Sequence, residues 1–443
     1  MSVLAGTSRP VPKVPAPAVP KLLLHMMFDR TRAMVDMAQA YGDAVRLPLG
    51  RSQLHFFNHP SHAKHVLTEN AGNYLKGIGQ FHAKRALGDG LLTAEGETWR
   101  RQRQNLKPAF SAKRLPMQAD VVTAATRRWI AELQSGGRTS LDLREQLTHL
   151  TLQIVGPALM GTDLAGFAGI GSAFEAVQDQ AMLEMITFNR LPDWAPLPTR
   201  LRFRKAQAEL DDVVTTLLGQ PSIEAEPDSV LALLNDASAP ADVRLRVRDE
   251  LVTMLLAGHE TTATLMTWAF VLLDRHPEAR EAVRDEAVRV LSDGVPDADT
   301  VKHLPYTGAV LKETLRLYPP VWLLPRRAIA DDVIDGHFVP AGGEVLLCPY
   351  TLHRHPAFWS DPEAFRPERF LGQSEPSDRY AYLPFGAGPR VCIGSALGTL
   401  EATLAVAMIS RSLRLRVLTP SISAQAMMTL RVRHGLPVTV EPA

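Results

Sequence analysis

The feature that most constrains the fold of this chain is an apolar stretch with a helical pattern from Leu251 to Leu273. It is long enough to cross a bilayer, but the run Gly258-His259-Glu260-Thr261-Thr262 interrupts it. A glutamate near the middle of a membrane would be costly. We therefore expect a long helix buried inside a soluble protein, with no transmembrane anchor.

Length and composition fit such a protein. The chain has 443 residues, 46% of them apolar and 21% charged, with a formal net charge of +1. Length alone favours two or three domains, but no linker divides the chain, so we expect one large domain over residues 21–443. The balanced charge gives no general attraction to nucleic acid, and we expect no nucleic-acid partner.

Residues 1–20 contain five prolines and no apolar run of signal-peptide length, which predicts an extended, proline-rich tail. The chain has only two cysteines, Cys348 and Cys392. Secreted disulfide scaffolds need more, so a reducing cytoplasm is the expected location. Two cysteines without a Cys-x-x-Cys spacing also argue against a structural zinc site.

Secondary-structure patterns change along the chain. Helical periodicity dominates the first three quarters, apart from a short hairpin predicted over 45–57. Short strand patterns follow at 333–339, 345–347, 413–417 and 438–440, and residues 356–391 look irregular because they are rich in proline and glycine. The fold class expected from these patterns is mainly α with small β-sheets.

The most informative segment is the ten-residue loop Phe385-Gly386-Ala387-Gly388-Pro389-Arg390-Val391-Cys392-Ile393-Gly394. Glycines and a proline around one cysteine predict a tight loop that can turn backbone N–H groups toward the sulfur. Such donors, the nearby Arg390 and the start of a following helix would stabilise a thiolate. A single thiolate suits an iron site with a soft ligand. The alternative is a buried, inert cysteine.

This loop resembles the haem-binding motif of the cytochrome P450 family, Phe-x-x-Gly-x-Arg-x-Cys-x-Gly. Five residues match it: Phe385, Gly388, Arg390, Cys392 and Gly394. The resemblance implies a single-domain cytochrome P450 fold, with Cys392 as the axial ligand of the iron in haem b. It also implies that Phe385 packs beside the sulfur and that Arg390 binds a haem propionate. The family often has alanine six residues after the cysteine, where this chain has Gly398.

Two further segments resemble motifs of the same family. Glu313-Thr314-Leu315-Arg316 places opposite charges at i and i+3 of a helix, which taken alone is a common surface pair. Together with Pro367-Glu368-Arg369-Phe370 it resembles the Glu-x-x-Arg helix and the later Pro-Glu-Arg-Phe segment of the family. The resemblance implies a buried structural network of Glu313, Arg316 and Arg369.

The interruption of the apolar helix resembles the oxygen-activation motif of the family. By that resemblance Gly258 widens the helix groove beside the site for dioxygen, Thr261 hydrogen-bonds the oxygen or a water beside it, and Glu260 supplies protons. The alternative is a helix kink in which the hydroxyls bond the backbone. Trp99, Arg103 and Arg326 match further positions that bind haem propionates, although Arg327 lies next to Arg326.

The family resemblance also places the substrate pocket. The residues expected to line it are apolar: Phe81, Met182, Met185, Ile186, Phe188, Leu255, Val321, Trp322, Leu323, Met427 and Met428. Such residues are more often part of a core than of a pocket. If they line one, it suits a lipophilic substrate, and we expect a terpenoid, a fatty-acyl compound or a macrolide-like molecule from secondary metabolism.

No flavin or nicotinamide domain follows the cysteine loop, so we expect electrons from a ferredoxin or flavodoxin and its reductase. A basic cluster in and after the Trp99 helix would dock this acidic partner, or is an ordinary solvated face: Arg100, Arg101, Arg103, Lys107, Lys113 and Arg114. The expected reaction is insertion of one oxygen atom from O2. A peroxide-driven peroxygenase, an isomerase, a haem-binding sensor and a helical protein without cofactor are the alternatives.

Overall fold

A computed structural model describes most of the chain. The described residues are 8–49, 52–78, 84, 87–135, 140–164, 169–187, 191–192, 194–219, 228–234, 241–291, 294–372 and 376–443.

Fourteen α-helices are found within these residues. In chain order they are α1 Val19–Phe28, α2 Arg30–Tyr41, α3 Pro60–Lys64, α4 Gly96–Leu106, α5 Leu115–Ser135, α6 Leu143–Val155, α7 Ile170–Thr187, α8 Pro198–Leu218, α9 Val230–Leu234, α10 Ala241–Arg275, α11 Pro277–Val290, α12 Pro305–Leu317, α13 Pro349–Leu352 and α14 Ser395–Ser412.

The strands are short. They are β1 Arg9–Pro10, β2 Ala44–Leu49, β3 Ser52–Phe57, β4 Tyr74–Lys76, β5 Ser140–Asp142, β6 Leu324–Ala328, β7 Asp332–Ile334, β8 His337–Val339, β9 Glu344–Leu347, β10 Leu413–Val417, β11 Ala424–Ala426, β12 Leu430–Val432 and β13 Pro437–Pro442. They form sheets in the orders β2-β3-β9-β6-β4, β1-β8-β7, β10-β13-β5 and β11-β12. These small sheets beside a helical body confirm the predicted fold class.

The long apolar helix predicted from the sequence is α10, and it lies at the centre of the molecule. It packs against α6, α12 and α14. Trp268 shows how completely it is enclosed, because its ring is 1% exposed and stacks on Tyr318 at 3.8 Å. The indole N–H donates to the carbonyl of Leu430 at 2.8 Å, so the polar atom of this large side chain is satisfied inside the core.

The N-terminal segment, predicted as an extended tail, lies against the body of the protein. Arg9 and Pro10 pair with β8 as β1, and Val11 and Val14 are buried. Helix α1 then begins at Val19, inside the segment predicted to be extended. Apolar contacts therefore hold residues 9–19 against the body, because the two valines bury surface that a solvated tail would leave in water.

Within the described part of the chain, every helix is too short or too polar to span a bilayer.

Candidate active site

Two glycines shape the loop that carries Cys392. Gly386 and Gly388 have φ angles of +71° and +68°, a region that side chains rarely adopt. At Gly388 a Cβ atom would lie 1.7 Å from the carbonyl oxygen of Leu67, so only glycine fits there. The loop closes where the N–H of Cys392 donates to the carbonyl of Phe385 at 3.0 Å, and α14 begins three residues later.

The thiol of Cys392 is accessible, whereas that of Cys348 is buried. Desolvation by the surrounding chain raises the pKa of the Cys392 thiol. The backbone N–H of Gly394 and the positive charge of Arg103 act in the opposite direction. A metal ion bound to the sulfur would favour the thiolate.

Arg390 lies beside Glu95 and Trp99. Its guanidinium donates to the carbonyl of Ala94 at 2.9 Å, pairs with Glu95 and lies 4.0 Å from the centre of the Trp99 ring. The charge near the sulfur is that of Arg103, which donates to the carbonyl of Val391 at 2.9 Å. The expectation that Arg390 stabilises the thiolate is therefore corrected.

Further cations adjoin Arg390. Arg326 is 8% exposed, and burial followed by repulsion from Arg390 lowers its pKa to about 10. Lys76 was not singled out from the sequence, and no motif marks it. Burial, with Arg390 and Arg326 nearby, lowers its pKa well below the ordinary value. The carboxylate of Glu95 is the counter-charge, and it accepts from the backbone N–H of Lys76 at 2.7 Å, while the Lys76 ammonium donates to the carbonyl of Leu92.

The sequence leaves open whether Arg326 or Arg327 lies beside Arg390 and Lys76. In the structure the two side chains have different partners. Arg327 turns to Glu344, whose carboxylate accepts its Nε at 2.5 Å. Arg326 makes one hydrogen bond to described residues, to the carbonyl of Pro325 at 2.9 Å. Arg326 is thus the residue with donors left for an anion.

We name Lys76, Arg103, Arg326 and Arg390, with the ring of Trp99 and the single carboxylate of Glu95, the cation cluster. Four buried or half-buried cations beside one carboxylate are costly unless a further anion balances them. The two propionates of a haem would supply that balance next to the accessible thiol of Cys392. The residues present therefore fit a haem, whose iron Cys392 would ligate.

Helix α10 presents polar groups at its middle. Ala257 is exposed although its neighbours in the helix are buried, and the Thr261 hydroxyl donates to its carbonyl at 2.8 Å. The carboxyl of Glu260 accepts from Gln178 at 2.5 Å and from Thr429 at 2.7 Å. Burial raises the pKa of Glu260 against these hydrogen bonds. Gln178 and Thr429 escaped the sequence analysis because they lie far from Glu260 in the chain.

Gly258 and His259 face away from the accessible side of the helix. A Cβ atom at Gly258 would lie 3.1 Å from Val155, so this glycine permits close contact between α10 and α6. The expected role of Gly258 in widening a groove for oxygen stays a prediction. His259 bonds the carbonyl of Leu255 at 2.5 Å, and burial lowers its pKa to about 4, so the ring is neutral at physiological pH.

Helix α14 meets α10 near the same place. A Cβ atom at Gly398 would lie 3.7 Å from the hydroxyl of Thr262, which is an ordinary contact distance. The departure from the family pattern at this position therefore leaves helix packing intact.

The structure brings Glu313, Arg316 and Arg369 together. Glu313 and Arg316 are fully buried, and the two oxygens of Glu313 accept from Arg316 at 2.7 and 2.8 Å. Arg369 donates to the same carboxylate at 3.0 Å. Backbone carbonyls take further donors of Arg316, including those of His353 at 3.0 Å and Ala364 at 2.9 Å.

The residues expected to line a substrate pocket are dispersed. Phe81 and Phe188 lie outside the described residues, and so do the side chains of Met185 and Ile186. Leu255 is completely buried in the main core, and Trp322 is buried with its N–H donating to Met427 at 2.8 Å. Neither of these two forms an accessible wall, which differs from the expectation. Val321 is 37% exposed and Met428 is half-buried.

The basic cluster after Trp99 is exposed only in part. Arg100, Arg101, Lys107 and Lys113 are exposed, with Arg100 3.1 Å from Glu97. Arg114 is 9% exposed and points to the carbonyl of Ala158, so it does not belong to a docking face. Arg103 likewise turns inward to the cysteine loop.

Comparison with known proteins gives a consistent result. The family model described as Cytochrome P450 matches residues 10–430. Cyclooctatin synthase of Streptomyces melanosporofaciens is 34% identical, over 85% of this chain and 84% of its own length. Cyclooctat-9-en-7-ol 5-monooxygenase of the same organism is 32% identical, over 93% and 91%. Protein LUTEIN DEFICIENT 5 of Arabidopsis thaliana is 30% identical, over 92% and 73%.

The family model extends over the cysteine loop, the cation cluster and helix α10. Membership implies a haem-iron cofactor, use of O2, a redox partner and a lipophilic substrate in general. The chain belongs to the cytochrome P450 family and is a monooxygenase.

Proposed function

We propose that this monooxygenase hydroxylates a terpenoid, using haem b and electrons from a ferredoxin or flavodoxin with its reductase. The observation that carries the substrate class is the similarity, over most of both chains, to two proteins whose names refer to cyclooctatin and to cyclooctat-9-en-7-ol. The fatty-acyl and macrolide-like alternatives have no comparable support among these relatives.

Different residues would ligate the iron and bind the propionates. Cys392 would ligate the haem iron, in the loop that is closed by its N–H donating to the carbonyl of Phe385. The cation cluster would hold the propionates. When bound, the haem supplies the activation of dioxygen, to which a thiolate ligand contributes electron density.

Glu260 and Thr261, both in helix α10, would supply protons for the reaction. The raised pKa of Glu260 keeps its proton available to higher pH than an ordinary carboxyl does. Gln178 and Thr429 hold the carboxyl by neutral hydrogen bonds. A rotation of Glu260 away from these partners would bring its proton to the accessible face where Thr261 lies.

An acidic redox partner would dock on the exposed residues Arg100, Arg101, Lys107 and Lys113. Electrostatic steering by such a face falls as salt rises. Turnover with the partner that does not depend on salt would contradict this surface. We also propose a cytoplasmic location, since both cysteines are free thiols.

The first test is spectroscopic. The reduced protein treated with carbon monoxide should show the red-shifted absorption of thiolate coordination, and Cys392→Ser should abolish it, while Cys348→Ser should not. A panel of terpenoids, fatty acids and macrolides is then scored by the Soret shift. A shift confined to fatty acids or macrolides would overturn the terpenoid assignment.

The second test addresses the reaction. Thr261→Ala should retain haem but divert reducing equivalents from product into peroxide. In the parent, coupling to product should fall at alkaline pH as Glu260 loses its proton. Glu260→Gln should remove this dependence of coupling on pH. Unchanged coupling in Thr261→Ala would contradict its role. Faster product formation with peroxide alone than with O2 and a reductase would favour the peroxygenase alternative.

A further inference from the structure

Two neighbouring acids of helix α10, Asp249 and Glu250, hold a segment of chain that leads to the cation cluster. The carboxylate of Asp249 accepts from the backbone N–H of Asp89 at 2.7 Å. The carboxyl of Glu250 accepts from the backbone N–H of Leu91 at 2.9 Å. We name residues 88–95, which lie just before helix α4, the connecting loop. The site described above uses neither of the two acids.

The backbone of the connecting loop lies directly on α10. A Cβ atom at Gly90 would be 2.5 Å from the backbone carbonyl oxygen of Asp249 and 2.2 Å from the hydroxyl of Thr253. A larger residue at Gly90 would therefore push the loop off the helix. Within the loop the hydroxyl of Thr93 donates to the carbonyl of Gly88 at 2.6 Å, which joins its two halves.

The other end of the connecting loop contacts two cations of the cation cluster. The carbonyl of Leu92 accepts from the Lys76 ammonium, and the carbonyl of Ala94 accepts from the Arg390 guanidinium at 2.9 Å. Glu95 pairs with Arg390 and accepts from the backbone N–H of Lys76. Because the loop supplies all of these acceptors, the places of Lys76 and Arg390 depend on how the loop is held.

Glu250 is buried more deeply than an acid usually is. It is 1% exposed, and its second carboxyl oxygen makes no hydrogen bond to any described residue. Burial raises the pKa of Glu250 to about 7, the N–H of Leu91 opposes this shift, and the negative charges of Asp249 and Asp89 add to it.

The cations near Glu250 are paired with other acids. Within the described part of the chain, Lys84 lies 2.8 Å from Asp89, and Arg248 lies 3.0 Å from Asp249. Helix α9 packs against α10 and α4 and has no ionisable residue. Because the pKa of Glu250 exceeds the 4.5 of an ordinary glutamate, the docked loop is most stable in acid and loses stability as pH rises from about 4.5 to about 7.

We propose that Asp249 and Glu250 are positioning residues for haem binding. They fix the connecting loop on the central helix, and the loop holds Lys76 and Arg390 where these cations bind the propionates. The proposal rests on the proposed function, since it takes the cation cluster as the site of the propionates. It links the first half of α10 to the propionate side of the haem.

Haem affinity tests the positioning role. Glu250→Ala removes the acceptor of the Leu91 N–H and should lower haem affinity about two- to tenfold, measured by haem transfer to apomyoglobin. Glu250→Gln keeps an oxygen acceptor and should retain most of the affinity. The matched control is Glu286→Ala. Glu286 is also a buried glutamate that accepts backbone N–H groups, those of Tyr306 and Thr307, and its loss should lower the unfolding temperature without lowering haem affinity.

A double-variant cycle separates positioning from general stability. In Lys76→Met one contact between the connecting loop and the cation cluster is already lost. Adding Glu250→Ala should therefore lower haem affinity by a smaller factor than it does in the parent. Equal factors in the two backgrounds would overturn the proposal, because Glu250 would then act independently of the cluster.

Amide hydrogen exchange of the haem-loaded protein tests the dependence on pH. Protection of the Leu91 amide, corrected for the intrinsic exchange rate, should fall in the parent between about pH 5 and about pH 7.5. It should stay constant in Glu250→Gln, which cannot ionise. An equal fall in both proteins, or no fall in the parent, would overturn the role of Glu250.

The carbon monoxide spectrum of the parent distinguishes the two possible failures. If the parent lacks the spectrum of thiolate coordination, the proposed function itself fails. A normal spectrum together with parental haem affinity in Glu250→Ala would overturn only the positioning role.

Discussion

The Glu313–Arg316–Arg369 network and the cation cluster are both built from buried arginines, yet they are completed differently. In the network the carboxylate of Glu313 and nearby carbonyls accept the donors of Arg316. In the cation cluster four cations adjoin one carboxylate, and burial lowers the pKa of Arg326 to about 10. A satisfied network stabilises the fold by itself, whereas an unbalanced one is completed by a ligand.

The largest effect is expected in the network. Arg316→Ala or Glu313→Ala leaves a buried charge without its main partner, so the free energy of unfolding should fall by about 3–5 kcal/mol and the protein should be recovered without haem. Urea unfolding and haem content measure this. Arg366→Ala is the control, since its partner Asp361 is exposed and such surface pairs contribute about 0–1 kcal/mol. Normal haem content in Arg316→Ala would contradict the comparison.

The second-largest effect is expected at Arg326, where one variant should lower haem affinity without lowering the stability of the haem-free protein. Arg326→Met removes a charge-assisted contact to a propionate, worth about 1.5–3 kcal/mol, which lowers haem affinity about 10- to 150-fold. The haem-free protein should be at least as stable as the parent, because a buried, poorly balanced cation is gone. Haem transfer to apomyoglobin and thermal unfolding of the haem-free protein give the two values.

Arg327→Met is the matched control for Arg326→Met. Its guanidinium pairs with Glu344 and is 40% exposed, so haem affinity should stay within about twofold of the parent. If the two variants exchange these effects, the propionate contact belongs to Arg327.

Lys76 should add a pH dependence of smaller size. Burial, Arg390 and Arg326 hold its pKa well below the ordinary value even though Glu95 lies beside it, and a propionate would raise this pKa. Haem binding then takes up a proton, so affinity is greatest at low pH and is lost as pH rises through the pKa of the haem-bound state. Lys76→Met should lower affinity about tenfold at low pH and remove this dependence. An unchanged pH profile would exclude Lys76 from the cluster.

The two regions also show how far sequence patterns reach. Cys392, Arg390 and the Glu313–Arg316 pair were found because fixed spacings place them in one loop or one helix turn. The long α10 and the small sheets followed from hydrophobic periodicity. Lys76 and Gln178 were missed because tertiary packing alone brings them to the site. Leu255 and Trp322 are buried, and the sequence could not separate them from pocket residues because apolar side chains serve both a pocket and a core.

The smallest effect tests how Arg390 is held within the cation cluster. Its guanidinium lies 4.0 Å from the centre of the Trp99 ring, and Arg103 lies 5.8 Å away on the same ring. A cation–π contact of this kind contributes about 0.5–1 kcal/mol, so Trp99→Leu should weaken haem binding about two- to fivefold. Trp99→Phe retains an aromatic face and should lose less. Equal losses in both variants would mean that Trp99 contributes a hydrogen bond or bulk, and that the ring does not orient Arg390.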